Sequence, residues 1–347
     1  MSKKRILLLT PDYPPNRGGV ARYLSDAKTF FQDQMRVISP SEETLSWKYI
    51  WPHWLKSLWI CVREKQTYDV VLVSHVLPFG TAAFLASWFT HKPYLVITHG
   101  MDIRLGKQSS WKRFLLRQIL NKALCVIANS QSLDQELQQA FGVKKSMVIY
   151  PCLVSVSSFQ KSPTNKFHLL TVGRLVARKG HVRVLTMLSK LKQRHPDWSV
   201  RYDIVGSGPM ETVIRKKISE LHLDQIVVLH TDIENEQLES FYQSADMFVM
   251  PVVDDPVDKE GFGLVFLEAA SFGVPSISTN MSGIDEAIID GETGVLVKTE
   301  DELFDSVVEL FEDQTKRLQL GNQARERVAS TFLCDQQWNK LKEFLDS

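Results

Sequence analysis

The sequence is poor in three things: paired cysteines, long apolar runs and net charge. Four cysteines, Cys61, Cys125, Cys152 and Cys334, are scattered over 347 residues with no CxxC pair and no framework spacing. Reduced thiols in a cytoplasmic protein are the expectation. The longest apolar stretch, 79–89, stops at His91-Lys92-Pro93, well short of the ~18 residues of a membrane span. The N-terminal run Ile6–Leu9 is likewise shorter than the ~7–15 residues of a secretion signal. It reads instead as a first β-strand, and no membrane-spanning segment is expected. The formal net charge is only +1, but its distribution is uneven. Residues 1–160 carry 20 Lys and Arg against 10 Asp and Glu, and residues 161–347 carry 21 against 30. Opposed halves of this kind fit two domains with different partners, the basic one facing something anionic.

What is present is alternation. Short β-branched or aliphatic runs ("RILLL", "RVIS", "VVLVS", "YLVITHG", "LCVIANS", "MVIY", then "HLLTVGR", "RYDIVG", "IVVLH", "MFVMP", "PSIST") recur between helix-like segments. That pattern predicts βαβ units with parallel sheets. The stretch 151–166, rich in Ser, Pro and Thr, has no helical period and reads as a linker. The expected fold class is α/β, with two Rossmann-like domains at 1–157 and 158–330 and a closing helix at 331–347. Ligands of such sheets collect beyond the carboxyl ends of the strands, where helix N-termini present unpaired N–H groups.

The candidate site residues follow these strands. Gly18 and Gly19 lead from the first strand into a helix, as a phosphate-approaching turn or a plain strand-to-helix turn. His99 ends "YLVITHG", either directed into a cleft or bonded to Asp102 in a surface loop. Gly173, Arg174 and Lys179 occupy a strand–loop–helix passage. There two cations five positions apart can neutralise a diphosphate, and Arg178 and Arg183 nearby read as solvated. Gly206 and Gly208 follow another strand, but Glu211 stands where a dinucleotide fingerprint needs its last glycine, which disfavours a nicotinamide enzyme. Asp254, Asp255 and Asp258 lack D-x-D spacing, so no metal is expected.

The stretch "EGFGLVFLE" sets Glu260 and Glu268 in apolar surroundings, where an ionised carboxylate is costly unless bound or paired. Over a continuous helix their spacing corresponds to ~12 Å of rise. Glycosidase carboxylates lie ~5–9.5 Å apart across one bond. The pair suits two ends of an elongated ligand better than acid/base work.

Together, "RGGV", "THGMD", "VGRLVARKG", "VGSGP" and "EGFGLVFLEAASFGVPSI" resemble the retaining glycosyltransferases of family 4, of GT-B fold, in order and over nearly the whole chain. The resemblance implies two parallel-sheet domains facing an interdomain cleft, the first binding the acceptor and the second a nucleotide-diphosphate sugar. It implies Arg174 and Lys179 on the diphosphate, Glu268 on the ribose, and Glu260 on the donor sugar beside Gly261, Phe262, Gly263 and Leu264. Gly173 and Gly206 belong to the same donor motifs. His99 would touch the donor sugar near the reacting carbon, Gly18 and Gly19 would close on the diphosphate, and Thr231 to Ile233 would hold the base. Such enzymes need no metal or other cofactor. The long interval "PVVDDPVDKE" is similar to the phosphatidylinositol-mannoside mannosyltransferase branch and favours GDP-mannose, with a UDP-sugar as the other candidate.

The first half also places Trp47, Trp51, Trp54 and Trp59 among Lys48, Lys56 and Arg63, and sets Trp111, Phe114, Leu115 and Ile119 at helical spacing among Lys112, Arg113 and Arg117. Basic-aromatic helices suit an anionic membrane surface, so peripheral contact at the inner face of the membrane and a lipid-linked or glycan acceptor are expected. The opposite reading makes these aromatics core. A GT-B epimerase would share the fold without the paired glutamates, and a nonenzymatic sugar-nucleotide binder would keep the diphosphate residues. No nucleic-acid motif is present.

Overall fold

The computed structural model describes residues 3–16, 18–39, 54–100, 103–104, 106, 109–156, 166–231, 233, 235–255 and 261–347. The chain forms two compact units, Met1–Val154 with Leu333–Ser347, and Ser155–Phe332.

The first unit runs β1 (Ile6–Leu9), α1 (Gly19–Phe31), β2 (Met35–Ile38), α2 (Trp54–Arg63), β3 (Val70–Ser74), α3 (Thr81–Thr90), β4 (Tyr94–Thr98), α4 (Ser110–Lys122), β5 (Cys125–Ala128), α5 (Gln131–Phe141) and β6 (Ser146–Val148). Its sheet has the order β2-β1-β3-β4-β5-β6, every pair parallel. Helices cover both faces of such a sheet, so its inner strands are apolar throughout rather than alternating. Accordingly β1, β3 and β4 are buried at every position. Successive side chains point to opposite faces. Leu7, Leu9, Val71, Val73 and Val96 join one core, and Ile6, Leu8, Val70, Leu72, Leu95 and Ile97 join the other.

The second unit runs β7 (Phe167–Val172), α6 (His181–Arg194), β8 (Val200–Val205), α7 (Glu211–Glu220), β9 (Val227–His230), α8 (Asn235–Ser244), β10 (Met247–Met250), α9 (Leu264–Ser271), β11 (Ser276–Thr279), α10 (Ile284–Ala287), β12 (Gly294–Val297), α11 (Glu300–Glu312) and α12 (Gln314–Thr331). Its sheet, in the order β12-β11-β10-β7-β8-β9, is also all parallel. The strand pattern read from the sequence lacks β12. This edge strand is the four-residue run Gly294–Val297, fully buried only at its two ends.

Helix α13 (Cys334–Asp346) belongs to the first unit. Its Trp338, fully buried with Leu341, packs on α1, with ring centroids 4.8 Å from Tyr23 and 6.4 Å from Phe31. Just before this helix, Leu333 bridges to Leu153, and the Cys334 N–H donates to the Leu153 carbonyl at 3.0 Å.

The expectation of four reduced thiols is overturned here. Cys152 and Cys334 form a disulfide with 4.9 Å between their Cα atoms. Their 182-residue separation hid a partnership that only the return of the chain creates. Cys61 and Cys125 remain free and buried, and burial pushes their thiols up to about 12 and about 11. Replacing Cys334 by Ser is expected to cost about 2–5 kcal/mol, seen as a lower urea midpoint. Wild-type protein in excess dithiothreitol should fall to the same midpoint.

Candidate active site

In the second unit, the strand order sets the carboxyl ends of β10, β7 and β8 side by side. Beyond β7 the chain passes Gly173 and Arg174, makes a 3-10 turn at Ala177–Lys179, and enters α6 through Gly180. Gly180 has φ 72°, and a Cβ there would lie 2.0 Å from the Pro251 carbonyl oxygen beyond β10. Gly206, beyond β8, has φ 146°, and its Cβ would lie 2.0 Å from the Gly173 oxygen. Only glycine permits both approaches. The three strand ends are drawn together by backbone-to-backbone contact.

Lys179 is buried, 6% exposed, and its chain runs back along Gly173. A Cβ on Gly173 would sit 3.5 Å from Lys179 Cε and 3.8 Å from Nζ. Arg174, at the mouth of the same loop, is exposed. Gly173, Arg174, Lys179 and Gly206 are therefore brought together beyond the carboxyl ends of the central strands β7 and β8. The reading of Arg178 as solvated is corrected: it is buried, and its carbonyl accepts the Val253 N–H at 2.7 Å. Arg183 is also held, paired with Glu300 and donating to the Pro251 carbonyl at 3.3 Å.

His181, the first residue of α6, was not anticipated. It is 3% exposed. Burial lowers its pKa to about 4, aided by the Lys179 ammonium and opposed by the Arg174 backbone. The imidazole is thus neutral beside the cations.

Glu268 lies one turn into α9, which starts from Gly263. Phe262, Phe266 and Leu267 are buried around it, and Glu268 itself is 8% exposed. The Tyr242 hydroxyl donates to its Oε2 at 2.7 Å, so Glu268 does not face solvent. Gly261 and Leu264, adjacent in sequence to these residues, are partly buried, and so, past β9, are Thr231 and Ile233. His230, which ends β9, is fixed by Asp203 at 2.8 Å. Tyr242 carries no motif, and nothing in the sequence marks it apart from other helical tyrosines.

In the first unit, Gly18 caps α1 and Gly19 opens it. Both are exposed, and a Cβ at either would meet nothing within 4 Å. His99 follows β4, where its Nε2 lies 2.9 Å from the Ser74 hydroxyl at the end of β3. Ser74 also bonds His75 Nδ1 at 3.2 Å, and His75 Nε2 is 3.5 Å from the Asp12 carboxylate. Burial, with a smaller contribution from His75, lowers the His99 pKa to about 3. His75 has φ 78°, a strained conformation for a residue with a side chain and one that gathers at functional sites. Asp12, Ser74 and His75 were missed because each is unremarkable alone. Only the sheet order brings the ends of β1, β3 and β4 together.

Glu260, Trp51 and Asp102 lie outside the described residues, as do Arg17, Trp47, Lys48 and Asp258. Trp54 is partly buried at the start of α2, and Arg113 and Arg117 are exposed on α4. The core reading of Trp111 and Phe114 is overturned. They are 64% and 65% exposed, while Leu116, Ile119 and Leu120 form the inner face of α4. Trp59 on α2 and Trp88 and Phe89 on α3 are exposed as well, and Arg63 lies 4.6 Å over the Trp59 ring. Among the described residues no helix is long and apolar enough to cross a membrane.

The family Glycosyltransferase Family 4 matches residues 6–158, and Glycosyl transferases group 1 matches residues 156–327. The chain belongs to this family of glycosyltransferases and has their GT-B fold. It is 26% identical, over 98% of both chains, to the GDP-mannose-dependent alpha-(1-6)-phosphatidylinositol monomannoside mannosyltransferase of Mycobacterium tuberculosis. It is 30% identical to the D-inositol 3-phosphate glycosyltransferase of Pseudarthrobacter chlorophenolicus, over 78% of this chain and 69% of that one. Among solved structures, Anabaena HepE in complex with UDP-glucose superposes with a TM-score of 0.78 over 99% of both chains, at 20% identity.

The buried histidine of the second unit makes a testable claim. An imidazole with a pKa near 6.5 when unfolded and about 4 when folded contributes stability that is complete above pH 6.5 and lost as pH falls towards 4. Between pH 8 and pH 5 the loss from His181 is about 2 kcal/mol. A His181→Asn variant should show a correspondingly smaller fall in urea midpoint over that interval.

Proposed function

We propose that the chain is a retaining, metal-independent hexosyltransferase that takes its sugar from a nucleoside-diphosphate donor, GDP-mannose before UDP-glucose. The observation that carries this reading is the buried Lys179 ammonium beside Gly173 and Gly206, with Arg174 at the mouth of the same loop. A diphosphate leaving group develops negative charge as the glycosidic bond breaks, and cations held beyond the carboxyl ends of the strands, Lys179 buried and Arg174 exposed, stabilise that charge. The Lys179 ammonium meets it as a point charge and the Arg174 guanidinium as a planar fork. Glu268 accepts from the ribose hydroxyls, and Glu260 anchors the donor sugar. His99, neutral above its lowered pKa, hydrogen-bonds the sugar without adding charge near the reacting carbon. The acceptor hydroxyl attacks from the face that the diphosphate leaves, and a phosphate oxygen receives its proton, so no protein nucleophile is required. The preference for GDP-mannose follows the mycobacterial relative, which is named for that donor; HepE, with UDP-glucose, supports the second candidate.

A thermal-shift panel of GDP-mannose, UDP-glucose and UDP-N-acetylglucosamine should give its largest shift with GDP-mannose. Transfer to lipid-linked and soluble glycan acceptors should then preserve the anomeric configuration, read from the one-bond C–H coupling of the product. Arg174→Ala and Lys179→Ala should each lower turnover by about 10²-fold or more, with an unchanged circular dichroism spectrum. Wild-type turnover in either variant would refute the assignment.

The acceptor is lipid-linked or a glycan, met at the inner face of an anionic membrane through the first unit. Exposed Trp59, Trp88, Phe89, Trp111 and Phe114, with Arg63, Arg113 and Arg117, combine apolar insertion with charge attraction. Vesicles containing phosphatidylglycerol should pull the protein down at low salt and release it at about 0.5 M salt. A Trp111→Ser/Phe114→Ser variant should bind several-fold more weakly. Equal sedimentation with neutral vesicles would remove the electrostatic part of this reading.

A further inference from the structure

Tyr242 belongs to none of the motifs, yet it is 2% exposed and its hydroxyl ends on a carboxylate oxygen of Glu268. Its ring is held in a stack, 5.7 Å from Phe272 at an interplanar angle of 6° and 6.2 Å from Phe248 at 29°. A phenylalanine would fill the same stack. A tyrosine buried this deeply needs a partner for its hydroxyl, and here the partner is the carboxylate expected to read the nucleoside.

We propose that Tyr242 is a positioning residue for ribose recognition. Bonding Oε2 sets the plane and tilt of the Glu268 carboxylate, which then meets the vicinal 2′- and 3′-hydroxyls of the donor in one geometry. A carboxylate is an acceptor only, and a cis-diol offers two O–H donors. Recognition at both points therefore depends on the orientation of the carboxylate as well as its presence. Tyr242 acts through Glu268 and does not touch the nucleotide. The proposal rests on the donor reading above and extends it to a residue of α8.

The test is isothermal titration with GDP, 2′-deoxy-GDP, UDP and 2′-deoxy-UDP. The wild type should bind the ribonucleotide of its preferred base about 10-fold or more tightly than the 2′-deoxy form. In Tyr242→Phe that ratio should fall to within about threefold, through loss of ribonucleotide affinity and little change for the deoxy form. Glu268→Gln should lower the ratio similarly, and the double variant should add little to either single change, as expected of residues acting as one unit. Equal losses for ribo and deoxy forms in Tyr242→Phe, an unchanged ratio with a lower melting temperature, or additive effects in the double variant would each overturn the role of Tyr242 while leaving the donor reading intact. A wild type that binds neither GDP nor UDP would remove the donor reading and this proposal with it.

Discussion

The buried ammonium of Lys179 is the constraint around which the second unit is arranged. Removing a charge from water is costly unless the surroundings compensate for it, and a lysine on a surface loop would ordinarily stay solvated. Here the side chain is laid back along Gly173, while Gly206 and Gly180 bring their loops into backbone contact around the end of β7. Loops this close leave little room for water. A cation held there interacts more strongly with an incoming anion than it would in bulk solvent. The glycines of "VGR", "KG" and "VGSG" are thus geometric requirements of one charged pocket edge.

Each unit also holds a histidine that remains uncharged near neutral pH. His181 in one unit and His99 in the other both have pKa values lowered chiefly by burial, to about 4 and about 3. Near neutral pH neither carries a charge, and at the end of β7 His181 adds nothing to the charge of Lys179 and Arg174. Ser74 bonds both His99 and His75, and His75 holds its strained backbone while facing Asp12. Strain of this kind costs of order 1–3 kcal/mol and persists because β1, β3 and β4 fix the ends of the segments that carry it.

Much of this architecture is legible in the sequence because parallel sheets write themselves as apolar runs. Eleven strands are visible that way, and the twelfth is the short edge run Gly294–Val297. Arg174, Lys179, Gly206 and Glu268 are legible for a related reason, since each lies at a fixed offset from a strand end or helix start. Tyr242, His75 and the Cys152–Cys334 pair are not. Their partners come from other elements, and sheet order and chain return create the proximity. The basic-aromatic helices are intermediate: residue types suggest a surface, but only packing shows that Leu116 and Ile119 face inward and Trp111 and Phe114 outward.

The return of the chain has a consequence for how the protein is made. The second unit is one continuous segment, Ser155–Phe332, whereas the first is interrupted by it. The interruption is not peripheral, because Trp338 and Leu341 of α13 share a core with Tyr23, Leu24 and Phe31 of α1. These contacts join the first thirty or so residues of the chain to its last dozen, and such separated contacts form late because the intervening chain must first be constrained. Folding of the second unit supplies that constraint by compacting the segment between Val154 and Leu333. The Leu153–Leu333 bridge and the disulfide beside it can then close on residues already brought near, and α13 joins the core that α1 shares with the strands of the sheet.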